Sequence, residues 1–150
     1  MSRFRNGFTT SAAQAGSTTT PVYALGPSAS GSALLRRFTV GFSSGGTTPT
    51  SEQVVVQLQP ATGLTNGTPV TSGKLRSTSV PALSVCSITT GTITAVGPPF
   101  IVSLNTQSAG DLPWEQLEEW EIPLSTWLAF MLITTLPAST TMTMSFEFEE

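Results

Sequence analysis

Histidine is absent from the sequence, and cysteine occurs once, at Cys86. Without histidine there is no Ser-His-Asp triad, no Cys-His dyad and no histidine metal site, so most familiar hydrolase mechanisms fall at once. One cysteine excludes an intrachain disulfide and a thiolate cluster, so stability must come from packing or assembly. Charge is scarce too: charged residues make up 10% of the 150 and hydrophobic ones 39%. That is too apolar for a disordered chain and too uncharged for a typical helical one, and it suits strands joined by many turns. The longest apolar run, residues 127–133, is far short of the roughly 20 residues a membrane helix needs. Residues 1–20 lack the positive-then-apolar layout of a secretory signal. The expectation is a soluble protein made in the cytoplasm, with no membrane partner.

The net charge of −3 predicts no general attraction to nucleic acid or anionic membranes. The charges are unevenly placed. All six basic residues (Arg3, Arg5, Arg36, Arg37, Lys74, Arg76) precede residue 77, and eight of the nine acids follow it. Such runs either form solvated faces or give the molecule two electrostatic poles, one of which meets a partner.

The length fits one domain with a real core. Residues 1–32 are dominated by Ser, Thr, Ala and Gly, with Arg3, Phe4, Arg5 and Phe8 in front and a short strand-like stretch at residues 22–25. Such a segment cannot bury enough apolar area to fold alone. It reads as an extended N-terminal arm, either a floppy terminus or one that Phe4 and Phe8 anchor on another subunit.

Residues 33–150 then form the domain proper. In residues 34–42, Phe38, Val40 and Phe42 alternate with Arg37, Thr39 and Gly41 at the two-residue period of a half-buried strand. A Gly/Thr/Pro turn leads to residues 53–59, where Val54, Val56 and Leu58 share a face, so the two runs read as a hairpin. Asn66-Gly67 signals a tight turn, and Asn66-Gly67-Thr68 matches a glycosylation acceptor that has no context without a secretory signal. Strand candidates follow at residues 74–78, 83–89, 91–96 and 100–105.

Residues 111–122 offer the one competition from a helix: Asp111 is a possible cap, Pro113 sits in the first turn, and Glu115, Glu118 and Glu119 suit the dipole. Residues 119–122 alternate as a strand does, so the expectation is one helical turn or an ordered loop, then a strand. The ending reads as a second hairpin, residues 127–136 and 141–149 about a turn at 137–139. In its last strand Met142, Met144, Phe146 and Phe148 point one way, and Thr141, Thr143, Ser145, Glu147 and Glu149 the other. No repeat and no strand–helix alternation is present, which excludes a parallel βαβ architecture. The fold predicted is all-β, an antiparallel β-sandwich.

Little here is reactive. The acids at 111–121 suggest a solvated face rather than a carboxylate pair held across a cleft. Residues 41–46 lack the lysine of a phosphate loop, and Arg3-Phe4-Arg5 with residues 34–38 is too small a basic patch to carry nucleic acid. No catalytic residue, cofactor or metal is expected. Trp114, Trp120, Trp127 and Tyr23 are either core or an interface or sugar-stacking platform, and Cys86 is a small buried hydrophobe. Contact residues are expected at Arg3, Phe4, Arg5, Phe8, Trp114 and Trp120.

Five segments carry a resemblance: Ala33-Leu34-Leu35-Arg36-Arg37-Phe38-Thr39-Val40-Gly41, the Thr/Gly/Pro turn, Val54-Val55-Val56-Gln57-Leu58-Gln59, Trp120-Glu121-Ile122-Pro123 and Ser145-Phe146-Glu147-Phe148-Glu149-Glu150. Over residues 33–150 the chain resembles small proteins encoded beside the major capsid gene of tailed phages, some of them capsid decoration or cement proteins. The arm and the acidic stretch from Trp114 to Trp120 have no counterpart in that pattern. The resemblance implies a jelly-roll-like sandwich seated on the outer capsid, often as a homotrimer, with the major capsid protein as partner. Two other classes fit the sequence: a tail, head-fibre or receptor-binding module, and a carbohydrate-binding or enzymatic sandwich.

Overall fold

The computed structural model describes residues 2–26, 32–45, 49–65, 68–75, 86–88, 91–108, 110–113, 120–123 and 125–150. Thirteen strands run in chain order: β1 (Arg3–Thr9), β2 (Tyr23–Leu25), β3 (Ala33–Ser43), β4 (Gln53–Thr62), β5 (Thr68–Val70), β6 (Gly73–Lys74), β7 (Cys86–Ile88), β8 (Thr94–Ala95), β9 (Phe100–Asn105), β10 (Gly110–Pro113), β11 (Trp120–Ile122), β12 (Trp127–Leu132) and β13 (Thr141–Glu149). They form two antiparallel sheets packed face to face, the β-sandwich that the alternating pattern predicts. Sheet A has the order β10-β3-β13-β1-β6, with β11 also on β3; sheet B has the order β5-β7-β2-β12-β4-β8, with β9 also on β4.

The main core lies between the sheets. Sheet A supplies Phe4, Leu35, Phe38, Val40, Met142, Met144, Phe146 and Phe148, and sheet B supplies Tyr23, Leu25, Val54, Val56, Leu58, Leu128, Phe130 and Leu132. Phe130 joins the layers by stacking on Phe146 at 4.7 Å between centroids and lying 5.6 Å from Phe38. Strand β12 is buried along its whole length. Its other face, Trp127, Ala129 and Met131, forms a second cluster with Ala24, Ala61 and Leu64, against which Ile93 and Ile133 pack. A strand covered on both faces reads as a continuous apolar run. That accounts for the apolar stretch at residues 127–133.

Both expected hairpins are corrected. Strand β3 belongs to sheet A and β4 to sheet B, and likewise β13 to sheet A and β12 to sheet B. Each of these strands has one apolar face to bury. In a sandwich, two such strands satisfy that need by facing each other across the core as well as by lying side by side.

The N-terminal arm is corrected too. Residues 3–9 are a strand inside sheet A, paired with β13 over seven register positions and with β6 on the other side. Phe4 is fully buried, and the half-buried Phe8 stacks on Tyr23 at 4.5 Å, so both pack into the sandwich itself. Residues 10–22 then bond to the rest of the fold: Thr10 N to Met142 O, Ala13 N to Thr140 O, Ser17 N to Leu132 O and Val22 N to Phe130 O. The Ser/Thr-rich composition hides a segment whose partners lie more than a hundred residues away. A boundary at residue 32 therefore divides nothing: both sheets take strands from either side of it.

Of the other expectations, β9 and β11 stand where alternation places them. Strands β7 and β8 occupy parts of their predicted runs, and β6 shares only Lys74 with the run predicted at 74–78. Asn66-Gly67 and residues 114–119, the helical candidate, lie outside the described residues. Tyr23 and Trp127 are buried, as core packing requires. Cys86 stands opposite Leu25 in the β2–β7 ladder.

Candidate interaction surface

Alternation in β1 sends Phe4 and Asn6 inward, which leaves Arg3, Arg5 and Thr9 exposed on the outer face of sheet A. Alternation in β13 leaves Glu147 on the same face. The antiparallel register sets Arg3 opposite Glu149 and Arg5 opposite Glu147, while on the far side of β13 it sets Arg37 opposite Glu147. Between Glu147 and Phe148 the register shifts, and Arg36 is the residue of β3 left over. Such a bulge re-aims a side chain. Arg36 here reaches Glu149, with Nε 2.6 Å and Nη2 2.5 Å from Oε2.

Glu149 thereby receives two arginines, Arg36 at Oε2 and Arg3 at Oε1, the latter at 3.7 Å. Arg5 Nη2 donates to Glu147 Oε1. Further along the face the rows turn to hydroxyls: Thr39 and Ser145 share a hydrogen bond, and Thr9 Oγ1 lies 2.9 Å from Thr143 Oγ1. A shallow depression of about 210 Å³ is lined by Arg5, Arg37, Thr39, Ser145, Phe146 and Glu147. Lys74 of β6 stands opposite Phe4, whose side chain points inward, so the register does not set it on the face of Arg3 and Arg5. Around Glu147 and Glu149 the described residues thus place four arginines, Arg3, Arg5, Arg36 and Arg37.

The two poles suggested by the sequence are not formed by these residues. The fold lays the basic N-terminal strands on either side of the acidic C-terminal strand, so the charges segregated along the chain interleave on one face. The result is a flat, polar, pre-ordered face. Arginines already oriented by carboxylates lose less side-chain freedom when a second surface meets them. Glu147 and Glu149 are held by guanidinium groups, which suits recognition. Among the described residues no group of three or more His, Cys, Asp or Glu is placed to hold a metal ion.

Of the residues expected to make contacts, Arg3 and Arg5 lie on this face, and Phe4 and Phe8 face the core. The backbone of Trp120 stands opposite Leu35 at the same end of sheet A, and Trp114 lies outside the described residues. Arg36, Arg37, Glu147 and Glu149 were missed as site residues. The signal was present: Arg3 and Arg5, two residues apart at one terminus, match the spacing of Glu147 and Glu149 at the other. The bulge that recruits Arg36 has no sequence signature here.

Comparison with family models, with curated proteins and with solved structures returns no match.

Proposed function

We propose that the chain is a structural virion protein of a tailed phage, a decoration or cement protein that binds the outer surface of the assembled head. There it bridges copies of the major capsid protein. One observation carries the reading: segments that bear the resemblance and are distant in sequence meet in space. Residues 33–35 of β3 pair with Trp120-Glu121-Ile122 on one side, and Leu34 and Leu35 pair with Glu149 and Phe148 on the other. These motifs converge at the end of sheet A that carries the arginine–glutamate face.

The strand order supports the finer fold reading. The runs β1-β13-β3-β10 and β2-β12-β4-β9 follow the order of a jelly roll, an architecture shared by viral capsid and lectin domains. Fold alone assigns no function. The physical logic of a cement protein is adhesion: a protein that binds only the assembled shell stabilises it by mass action, and many copies on one particle multiply the effect. Such a task uses a rigid body and a pre-ordered face and has no need of a catalytic group or cofactor. The homotrimer implied by the resemblance is part of the proposal.

Electron microscopy tests it. Heads assembled from the major capsid protein proposed as its partner, mixed with the purified chain, are expected to carry it over the whole shell. Density confined to one vertex would instead make it a tail or fibre component, and bare heads would remove it from the particle.

A further inference from the structure

At the end of β1 away from Arg3, residues 8–22 wrap around a depression of about 600 Å³, within the roughly 300–1,000 Å³ of small-ligand sites. Its walls are fixed by the backbone. Leu136 N donates to Gln14 O at 2.9 Å, Ser17 N to Leu132 O at 2.7 Å and Val22 N to Phe130 O at 2.9 Å. Gly16 approaches Ile133 so closely that a β-carbon there would meet the Ile133 carbonyl oxygen at 2.3 Å, so only glycine seats this turn. A cavity walled in this way is pre-formed, and a ligand entering it orders little.

The described lining is neutral, and no charged residue occurs in residues 6–35. That disfavours phosphates, carboxylates and amines, whose charge would be desolvated with no opposite charge to meet it. One side is apolar, formed by Pro21, Val22 and Phe8. The Phe8 ring gives one face to Tyr23, at an interplanar angle of 8°, and its uncovered part borders the depression. The other side carries the hydroxyls of Thr10, Ser11, Ser17 and Thr20 and the amide of Gln14. Ser11 Oγ donates to Gln14 Oε1 at 2.9 Å, which orients the amide and leaves its Nε2 hydrogens undonated among the described residues. Thr10, 8% exposed, accepts from Met142 N at 3.0 Å and keeps its own proton to donate. Ser17 Oγ accepts from the N–H groups of Thr19 and Thr20 and is in the same position.

We infer that this depression binds a neutral saccharide. A sugar ring presents hydroxyls that accept from amide and hydroxyl donors and donate in return. It also has a face of C–H groups, which the negative face of an aromatic ring attracts. A purely alkyl ligand would strand the undonated hydrogens of Gln14, Thr10 and Ser17. Ser11, Ala15 and Thr20 are exposed on the lining, so a ligand can reach it. The inference stands apart from capsid binding, because this lining shares no described residue with the depression around Arg5, Arg37 and Glu147.

The full chain, applied to an array of neutral, sialylated and sulfated oligosaccharides, tests this, with the neutral member bound most strongly then titrated by calorimetry. Binding to neutral members is expected. Gln14→Ala/Thr20→Val is expected to weaken it roughly tenfold or more, with unchanged thermal unfolding. Phe8→Leu, which keeps an apolar side chain against Tyr23 and loses the ring, is expected to weaken it several-fold. Arg5→Glu/Arg37→Glu is expected to bind as the wild type does. No neutral member bound, binding confined to sialylated or sulfated members, or a Gln14→Ala/Thr20→Val chain that binds as tightly as the wild type would each overturn the inference.

Discussion

Tyr23 donates its phenolic proton to Asn6 Oδ1 at 3.0 Å inside the core, and Asn6 Nδ2 donates onward to the Val70 carbonyl at 3.2 Å and the Ser72 hydroxyl at 3.1 Å. One buried amide thus ties β2, β1 and the β5–β6 connection together, spanning both sheets. Tyr23→Phe is expected to cost about 1 kcal/mol, and Asn6→Ala, which removes the acceptor of the Tyr23 bond and both onward bonds, about 1–3 kcal/mol. Urea unfolding of the two single variants and the double variant measures their coupling; purely additive losses would show that the bond contributes nothing of its own.

The first nine residues are structural. Phe4 is enclosed and lies 5.3 Å from Phe148, ring to ring, so Phe4→Ala is expected to cost about 3–5 kcal/mol. Deleting residues 1–9 removes the strand between β13 and β6 and is expected to abolish cooperative unfolding by circular dichroism. A truncated chain that melts like the full one would restore the arm.

The Arg36–Glu149 and Arg5–Glu147 ion pairs of sheet A differ in weight. Arg36 and Glu149 keep side-chain exposures of 13% and 11%, whereas Arg5 is 59% exposed. Glu149→Gln leaves two arginines with a weakened acceptor, one of them mostly enclosed, and is expected to cost about 1–3 kcal/mol. Glu147→Gln is expected to cost at most about 1 kcal/mol. Denaturation midpoints in the reverse order would contradict the geometry.

Ala13 adopts φ +53°, in the left-handed region, with only a methyl group as side chain. Removing its β-carbon relieves the steric cost, and Ala13→Gly is expected to raise stability by about 0.5–1 kcal/mol despite the added freedom of the unfolded chain. A lower midpoint for the glycine variant would show that the conformation is not strained.

Much of the fold was legible because its strands alternate. The inward set of β13 and the whole of β9 follow directly from the period of two. Pairing was less legible, since β3 and β4 carry the same apolar pattern whether they share a sheet or face each other. Strand β1 escaped notice because Phe4 and Asn6, its inward residues, sit in a polar stretch whose partner strand comes last in the chain. Strand β4 runs on to Thr62 past Pro60, which predicts an end to the strand; Pro60 falls where the β9 ladder has stopped at Leu58 and the β8 ladder has yet to begin at Ala61. The candidate face was half legible. Arg3 and Arg5 stood out, but their acids became partners only through the register, and Arg36 only through the bulge.

Adhesion to an assembled head, the function proposed above, is measured by a melting titration. Heads built from the major capsid protein proposed as its partner are heated with wild-type chain or with Arg5→Glu/Arg37→Glu, a pair altered on the exposed face of sheet A. The wild type is expected to raise the melting temperature of the heads until the sites saturate, and the variant to do so only at higher concentration. Heads that melt at the same temperature with and without the wild-type chain, and recover free of it, would contradict the claim.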